Sequence, residues 1–364
     1  MILTPDNIVH YLTDQNLIST ESVVDGDLMV VDMTRRNRNF KILRKTDKGL
    51  FVKQPRNFDV QSVASLVREA QSYRLVATDP AFRAISGLMP SSLHFDTARN
   101  ILVLGLLPES ENLSEMYRRL GEFPSYIAAT LGRSLGCYHR EVGRTLEQVR
   151  HTKLFPETLP WMLTITQEYI QQAKTVDENH CRFYSIIAKY PEFLDSIHRL
   201  RTGWKADSLI HGDMKWDNCM VYKDEAASSD ELALKIVDWE LADLGDSAWD
   251  AGAVFQTFLS LWVMSLPEVN GEEEQQRDKY SIEKMQPAIR SFWDAYTGTM
   301  SIEKKARTLL LKKCVEYAAV RIIQTGYETL FHSRQMSNAI VYLLQLSLNI
   351  LKDPDEAITA LLGL

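Results

Sequence analysis

The order in which hydrophobic periodicities follow one another is the feature that most limits what this chain can fold into. After a short first helix the pattern to about residue 54 is strand-like, in LMVVDM at 28 to 33, NFKILRK at 39 to 45 and GLFVKQ at 49 to 54. Three short strands in a row read as an antiparallel meander. QSVASLVREAQSYRLVA at 61 to 77 then repeats Val63, Leu66, Val67 and Ala70 at helical spacing. SLHFDTARNILVLGLLPES at 92 to 110 returns to a hairpin, its turn at Asp96 to Asn100. From about residue 111 helical patterns run to the C-terminus, broken only by HGDMKWDNCMVYKDEAASSDELALKIVDWE. The order predicts an α+β, bilobal organisation: a small antiparallel β-rich N-lobe over 1 to 108 and a large, mainly helical C-lobe over 109 to 364, with the hinge in LLPESEN.

Composition removes several classes. With 364 residues, 45% hydrophobic and 24% charged, the chain is an ordinary globular one. Lys and Arg number 41 against 48 Asp and Glu, so no overall basic field favours nucleic acid. Cys137, Cys181, Cys219 and Cys314 are far apart and lack zinc spacing, and they read as reduced thiols. The N-terminus has no basic and apolar export pattern; its Thr4-Pro5-Asp6 reads as a helix cap with Pro in the first turn. AGAVFQTFLSLWVMSL at 251 to 266 carries Gln256, Thr257 and two serines, which predicts a buried core helix and no membrane insertion. A soluble, cytoplasmic protein is expected. EAASSDE at 225 to 231 and GEEEQQRD at 271 to 278 read as solvated loops or helix faces.

The chemistry is concentrated where the helical pattern breaks. A turn centred near Ser228 would set Asn218 opposite Asp238 across an antiparallel hairpin, beside Asp213. Oxygen-bearing side chains gathered in this way suit magnesium, which prefers oxygen ligands and fills its shell with phosphate and water. An Asp that takes or orients a hydroxyl proton, an Asn five residues on that holds the metal, and an Asp after a strand that bridges metal to phosphate are the parts of kinase chemistry.

With LIHGDMKWDN, IVDWELADLGDSAWDAG and LGRSLGCYHREV, the sequence resembles the aminoglycoside phosphotransferase and choline kinase-like superfamily, which has a protein-kinase-like fold. The motifs cover roughly 130 to 255, and the last hundred residues match as helical content. The resemblance implies Asp213 as catalytic base, with Asn218 and Asp238 as ligands of Mg2+. It also implies a strand lysine for the phosphates of ATP and an acidic partner on the next helix, which Lys53 in LFVKQPR and Glu69 in LVREAQS supply in the right order. Phe51, two before Lys53 and on the same strand face, would contact adenine. Leu104 and Leu106, in LVLGLLP, fit a segment whose backbone reads the adenine edge. The phosphate loop departs from the pattern. A G-x-G-x-x-G is absent, and TRRNRNFK at 34 to 41 puts Arg35, Arg36, Asn37 and Arg38 where glycines would offer backbone N–H groups.

Plainer roles stand beside these. His211 reads as a buried group that shapes its loop. Asp246 and Asp250 read as N-terminal support for the apolar helix that follows. Trp249, Trp262, Trp293 and Tyr296 fit core packing or an acceptor pocket. GRSLG at 132 to 136 matches the G-x-S-x-G of hydrolases, but Ile127, Leu131, Leu135 and Tyr138 run helically through it, so the strand that motif needs is missing. A P-loop is absent. The alternative to a phosphotransferase is a catalytically silent kinase-like module that binds nucleotide or a partner. Relatives of this type act on aminoglycosides, choline, sugars or amino alcohols, and others act on Ser or Thr of a precursor in ribosomal-peptide pathways, which RRNRNFK with VKQP resembles. Glu240, Asp243 and Asp246 would favour a cationic acceptor, and the basic turn an acidic leader peptide.

Overall fold

The computed structural model describes residues 1–45, 47–107, 109–173, 177–223, 232–266 and 280–364. Pro108 of the hinge, the turn expected near Ser228 and both polar stretches, 225 to 231 and 271 to 278, lie outside the described residues. Contacts group the chain into two compact units, Met1–Glu111 with Met220–Ala242, and Asn112–Cys219 with Asp243–Leu364.

The first unit is built on five strands, β1 (Leu28–Asp32), β2 (Asn37–Arg44), β3 (Leu50–Pro55), β4 (Ser92–Asp96) and β5 (Ile101–Gly105). They lie in the order β1-β2-β3-β5-β4, every pair antiparallel. The expected meander is therefore present, and the hairpin from 92 to 105 extends it. Phe40, Ile42, Leu50, Val52, Ile101 and Val103 form one buried face, covered by Leu3, Ile8, Tyr11, Leu12 and Ile18 from the first eighteen residues. Because strand side chains alternate, burial of Leu50 and Val52 on this face sends Phe51 and Lys53 to the other. Lys53 pairs with Asn39 on one side and Leu102 on the other, so it stands on the central strand. Helix α1 begins later than the Thr4-Pro5-Asp6 cap predicts, at Ile8–Asp14. Asn7 explains the delay: its side-chain oxygen accepts from the Thr4 N–H at 2.8 Å and closes residues 4 to 7 into a turn. Helix α2 is the short Thr20–Val24, and helix α3 covers Val60–Thr78, capped by the Asp59 carboxylate on the Gln61 and Ser62 amides.

The second unit is mainly helical. Ser208–Ile210 pairs antiparallel with Asp243–Gly245, and this short ribbon carries the chain into HGDMKWDN at one end and into the Ser247–Met264 helix at the other. That helix is buried along most of its length, as its apolar composition requires. Among the described residues no helix is long and apolar enough to cross a membrane. Ser134 lies inside a helix, Ser125–Arg144, and is 8% exposed, so the G-x-S-x-G match has no strand and no elbow. Its glycines have a packing reason instead. A Cβ on Gly132 would run into the Phe292 carbonyl of the Ile282–Met300 helix, and one on Gly136 would stand 2.8 Å from the Tyr296 carbonyl oxygen. The two helices meet backbone to backbone there. Trp249, Trp293 and Tyr296 are fully buried core residues, which leaves only Trp262 of that aromatic set partly accessible.

Gly132→Ala should cost about 2 kcal/mol, since overpacking outweighs the gain in helix propensity. Gly298→Ala, where no atom lies within 4 Å of the new Cβ, should gain up to about 1 kcal/mol. Thermal melts of the two variants should shift in opposite directions.

Candidate functional site

In the first unit the central strand, α3 and the DWE turn bring four charged groups together. Lys53 Nζ lies 2.6 Å from Glu69 Oε2, 2.5 Å from Asp238 Oδ1 and 3.4 Å from Glu240 Oε2. Tyr73, one helical turn beyond Glu69, donates its hydroxyl to Glu69 Oε1 at 3.1 Å and fixes the carboxylate from behind. Lys53 and Glu69 are both buried. Burial alone would weaken the Lys53 ammonium, but Glu69, Asp238 and Glu240 outweigh it and raise its pKa above the ordinary lysine value. Burial also raises the Glu69 carboxyl; Lys53 pulls it back, Asp238 and Glu240 push it further, and it comes to about 7. Burial acts against the charged form of both groups, and the neighbouring charges decide the rest. Three carboxylates surround one ammonium, so the cluster is short of positive charge.

Asp238 carries the backbone signature of a constrained position, with φ 66° and ψ 56°. A non-glycine residue held there is strained, and Asp tolerates the conformation better than most. Oxygens of Glu69, Asp238 and Glu240 all lie within 4.8 Å of one another, a group with the donors for a cation. Phe51 is half-buried on the Lys53 side of β3, and Leu104, paired with Phe51 across β3 and β5, is buried. Leu106 N–H is bonded to the Gly49 carbonyl. Arg38 is committed elsewhere: its Nη1 donates to the Pro55 and Arg56 carbonyls at 2.8 and 2.7 Å. Arg36 and Asn37 are the turn residues that reach the cluster, each 3.3 Å from a Glu240 oxygen.

In the second unit the HGDMKWDN loop is pinned by its own inward residues. Met214 and Trp216 are buried, and Trp216 packs edge-on against Tyr117 and Phe258 with ring centres 4.8 and 4.7 Å apart. Gly212 has φ 79°, a value that explains glycine between His211 and Asp213. His211 is fully buried, and its Nδ1 accepts the Asp213 N–H at 3.2 Å. Its expected loop-shaping role is what the geometry shows. Asp213 Oδ2 accepts from Lys215 Nζ at 2.6 Å. Asn218 donates its amide nitrogen to the Asp213 carbonyl at 2.9 Å, which leaves its amide oxygen as an acceptor.

Two residues behind this loop escaped the sequence reading. Asp250 was expected as helix support like Asp246, and Asp246 does cap Ser247–Met264 through the Ala248 amide. Asp250 does more. Its carboxylate accepts the His211 N–H at 2.6 Å and the Gly212 N–H at 3.1 Å, with His139 Nε2 at 3.4 Å. Burial would raise this carboxyl; the His139 and His211 contacts overcome it and hold Asp250 below the usual carboxylate range. Arg321, on the Lys304–Ser333 helix, donates to the Gly212 carbonyl at 3.2 Å and lies 4.0 Å from Asp213 Oδ1. It sits over the Trp249 ring at 5.0 Å. Asp213 is thus flanked by Lys215 on one oxygen and Arg321 on the other. Position in the sequence gives no sign of Arg321, 108 residues downstream of Asp213.

No protein-family model matches the chain, and no curated protein does. Solved structures are similar to it. One is a GDP complex of a variant of an aminoglycoside 2′-phosphotransferase-IIIa, 15% identical with a TM-score of 0.58, covering 95% of this chain and 98% of that one. Others are glucosamine kinase with glucosamine, ADP and inorganic phosphate, at 14% identity, TM-score 0.49 and coverage of 96% and 83%, and a streptomycin–ATP complex of APH(2″)-IIa, at 16%, 0.48, 95% and 97%. At such identities a likeness shows the fold, and the first of these carries it. The chain has the kinase-like α+β fold of an aminoglycoside phosphotransferase, in agreement with the resemblance seen in its motifs.

Asp250 has a folded pKa below its unfolded one, so its stabilisation is present above the ordinary carboxylate range and is lost as pH falls through the folded value. Asp250→Asn should cost about 3 kcal/mol at neutral pH. It should also flatten the acid limb of the stability curve, which urea melts between about pH 3 and 7 would measure.

Proposed function

We propose that the protein is a phosphotransferase that moves the γ-phosphoryl group of ATP, with magnesium, to a hydroxyl of a small molecule or of a peptide Ser or Thr. The observation that carries this reading is the buried Lys53 held between Glu69 and Asp238. A strand lysine paired with a helix glutamate, beside an acidic metal ligand, is what a kinase uses to grip a nucleotide. The loop in the second unit supports the same reading, because Asp213 and Asn218 lie on one fixed turn in the order that hydroxyl activation and metal binding require.

The donor set fits magnesium. Glu69, Asp238 and Glu240 are hard oxygen donors close together, and they outnumber the ammonium they surround. Asp238 would hold the ion, a role that the motif resemblance also gives to Asn218; bound magnesium would supply positive charge to the phosphates. Lys53 binds phosphate oxygens, Phe51 lies against the adenine, and the backbone at Leu104 and Leu106 borders its edge. Asp213 takes or orients the proton of the acceptor hydroxyl. Because phosphoryl transfer asks for placement and charge more than covalent work, the fixed loop geometry is the protein's main contribution.

Of the acidic residues that a cationic acceptor would use, two are already engaged. Asp243 accepts from the Glu157 and Thr158 amides at 2.8 and 2.9 Å, and Asp246 binds Lys313 and the Tyr317 hydroxyl. Glu240 belongs to the Lys53 cluster. The acceptor is therefore to be found by an ATP-consumption screen over amino alcohols, sugars, aminoglycosides and Ser- or Thr-containing peptides.

Calorimetry should show ATP binding that weakens strongly in EDTA, and Asp238→Asn should remove most of that difference; equal affinity with and without magnesium would count against the metal assignment. Asp213→Asn should lower turnover by about two to four orders of magnitude. Its ATP dissociation constant should barely move, since Asp213 faces the acceptor. Near-normal turnover in this variant would make Asp213 a structural residue.

A further inference from the structure

The turn between β1 and β2 has no glycine, and three of its backbone donors are already used. Met33 N–H is bonded to the Asn39 carbonyl at 2.8 Å, Thr34 N–H to Asp32 Oδ1 at 2.8 Å, and Arg35 N–H to the Asn37 carbonyl at 3.0 Å. A glycine-rich loop works by turning such N–H groups toward phosphate oxygens. Here they close the turn on itself. Phosphate binding from this turn therefore falls mainly to side chains, of which four are candidates.

The structure distinguishes Arg36, Asn37 and Arg38 by their contacts. Arg38 holds two carbonyls, Pro55 and Arg56, and would have to give both up. Arg56 in turn reaches the Arg35 carbonyl, which ties the base of the turn to the end of β3. Arg36 is different. Its side chain is 71% exposed, and its contact with the cluster is the 3.3 Å approach to Glu240 Oε1. That is long for a charge-assisted hydrogen bond, which favours about 2.7–2.9 Å. Asn37 makes a contact of the same length to Glu240 Oε2. Glu240 is also 3.4 Å from Lys53, so one carboxylate receives three weak donors.

From this we infer that Arg36 is the side chain through which the turn grips the nucleotide, by exchanging the Glu240 carboxylate for the β- and γ-phosphate oxygens. The inference rests on the phosphotransferase reading and adds to it a residue and a sequence of contacts. A phosphate offers Arg36 a doubly bonded fork where Glu240 offers one long contact, so the exchange runs toward phosphate. Release of Arg36 leaves Glu240 beside Asp238, adding a negative oxygen to the group next to the bound phosphates. The turn is thereby ordered by the charge of the ligand, where a glycine loop would be ordered by its backbone.

The test compares ATP with AMP, which share the adenosine but differ in the phosphates Arg36 is to hold. Dissociation constants are measured by calorimetry for the wild-type chain, Arg36→Ala and Arg36→Lys, in magnesium and in EDTA. Because Arg36 is mostly exposed, neither substitution endangers the fold. Arg36→Ala should weaken ATP binding about tenfold or more, the loss of one charged hydrogen-bond pair, and leave AMP unchanged; Arg36→Lys should fall between. The ratio should persist in EDTA. Unchanged ATP affinity, or an equal loss for ATP and AMP, would overturn the inference while leaving the phosphotransferase reading in place. So would a ratio that vanishes in EDTA, which would mean that Arg36 acts through the metal alone. Failure of the wild-type chain to bind either nucleotide would overturn both.

Discussion

Lys53 and its three carboxylates are the interaction on which the first unit is organised. An ammonium taken out of water is tolerated only where partners replace its hydration, and Glu69 and Asp238 do so at 2.6 and 2.5 Å. The partners come from two different elements: Glu69 from α3, Asp238 and Glu240 from the turn after the Leu232–Ile236 strand. The cluster is therefore a joint as well as a site. Its carboxylates exceed its ammonium, and the Glu69 carboxyl is raised first by burial and further by Asp238 and Glu240. A folded unit would not keep surplus buried negative charge for stability, because apolar residues of similar size would pack there at lower cost. Affinity for positive charge is the property it gains.

The second unit solves a different problem, that of holding a loop rich in polar groups in one shape. Asp250 accepts hydrogen bonds from the consecutive backbone amides of His211 and Gly212, and Arg321 donates to the Gly212 carbonyl. The loop backbone is thus fixed by buried charges on two separate helices. Trp216 supplies the apolar anchor. Two other helices, Ser125–Arg144 and Ile282–Met300, pack closely enough to need glycine at 132 and 136, where backbone carbonyls occupy the space a side chain would take. A pattern that resembles a hydrolase nucleophile motif is, in this fold, a consequence of helix contact.

The strand order, α3 and the burial of the apolar helix were legible because alternation and helical spacing are local properties that the core enforces. Lys53 and Glu69 were legible because a charged residue on a central strand and another on the following helix fit a known chemical order, and the structure brings them into contact. Asp250 was read only as support for its helix, since an Asp in a first turn has a sufficient local explanation. The basic turn offers Arg35, Arg36, Asn37 and Arg38 alike, and sequence has no means of telling which arginine has carbonyl partners and which is exposed. Tyr73 left a signal, its spacing of four from Glu69, but many tyrosines on helices have such a neighbour.

The sequence by itself determined the kinds of groups available: a lysine on a strand, oxygen donors in DWE and HGDMKWDN, and a basic turn without glycine. It also determined the elements that carry them, because hydrophobic periodicity is read residue by residue. The tertiary structure decided which groups meet. Arg321 lies 4.0 Å from Asp213 across 108 positions of chain, and Arg36 lies 3.3 Å from Glu240 across 204. Such pairings are set by how helices and strands pack, through backbone approach and the burial of unlike neighbours, and no local pattern encodes them.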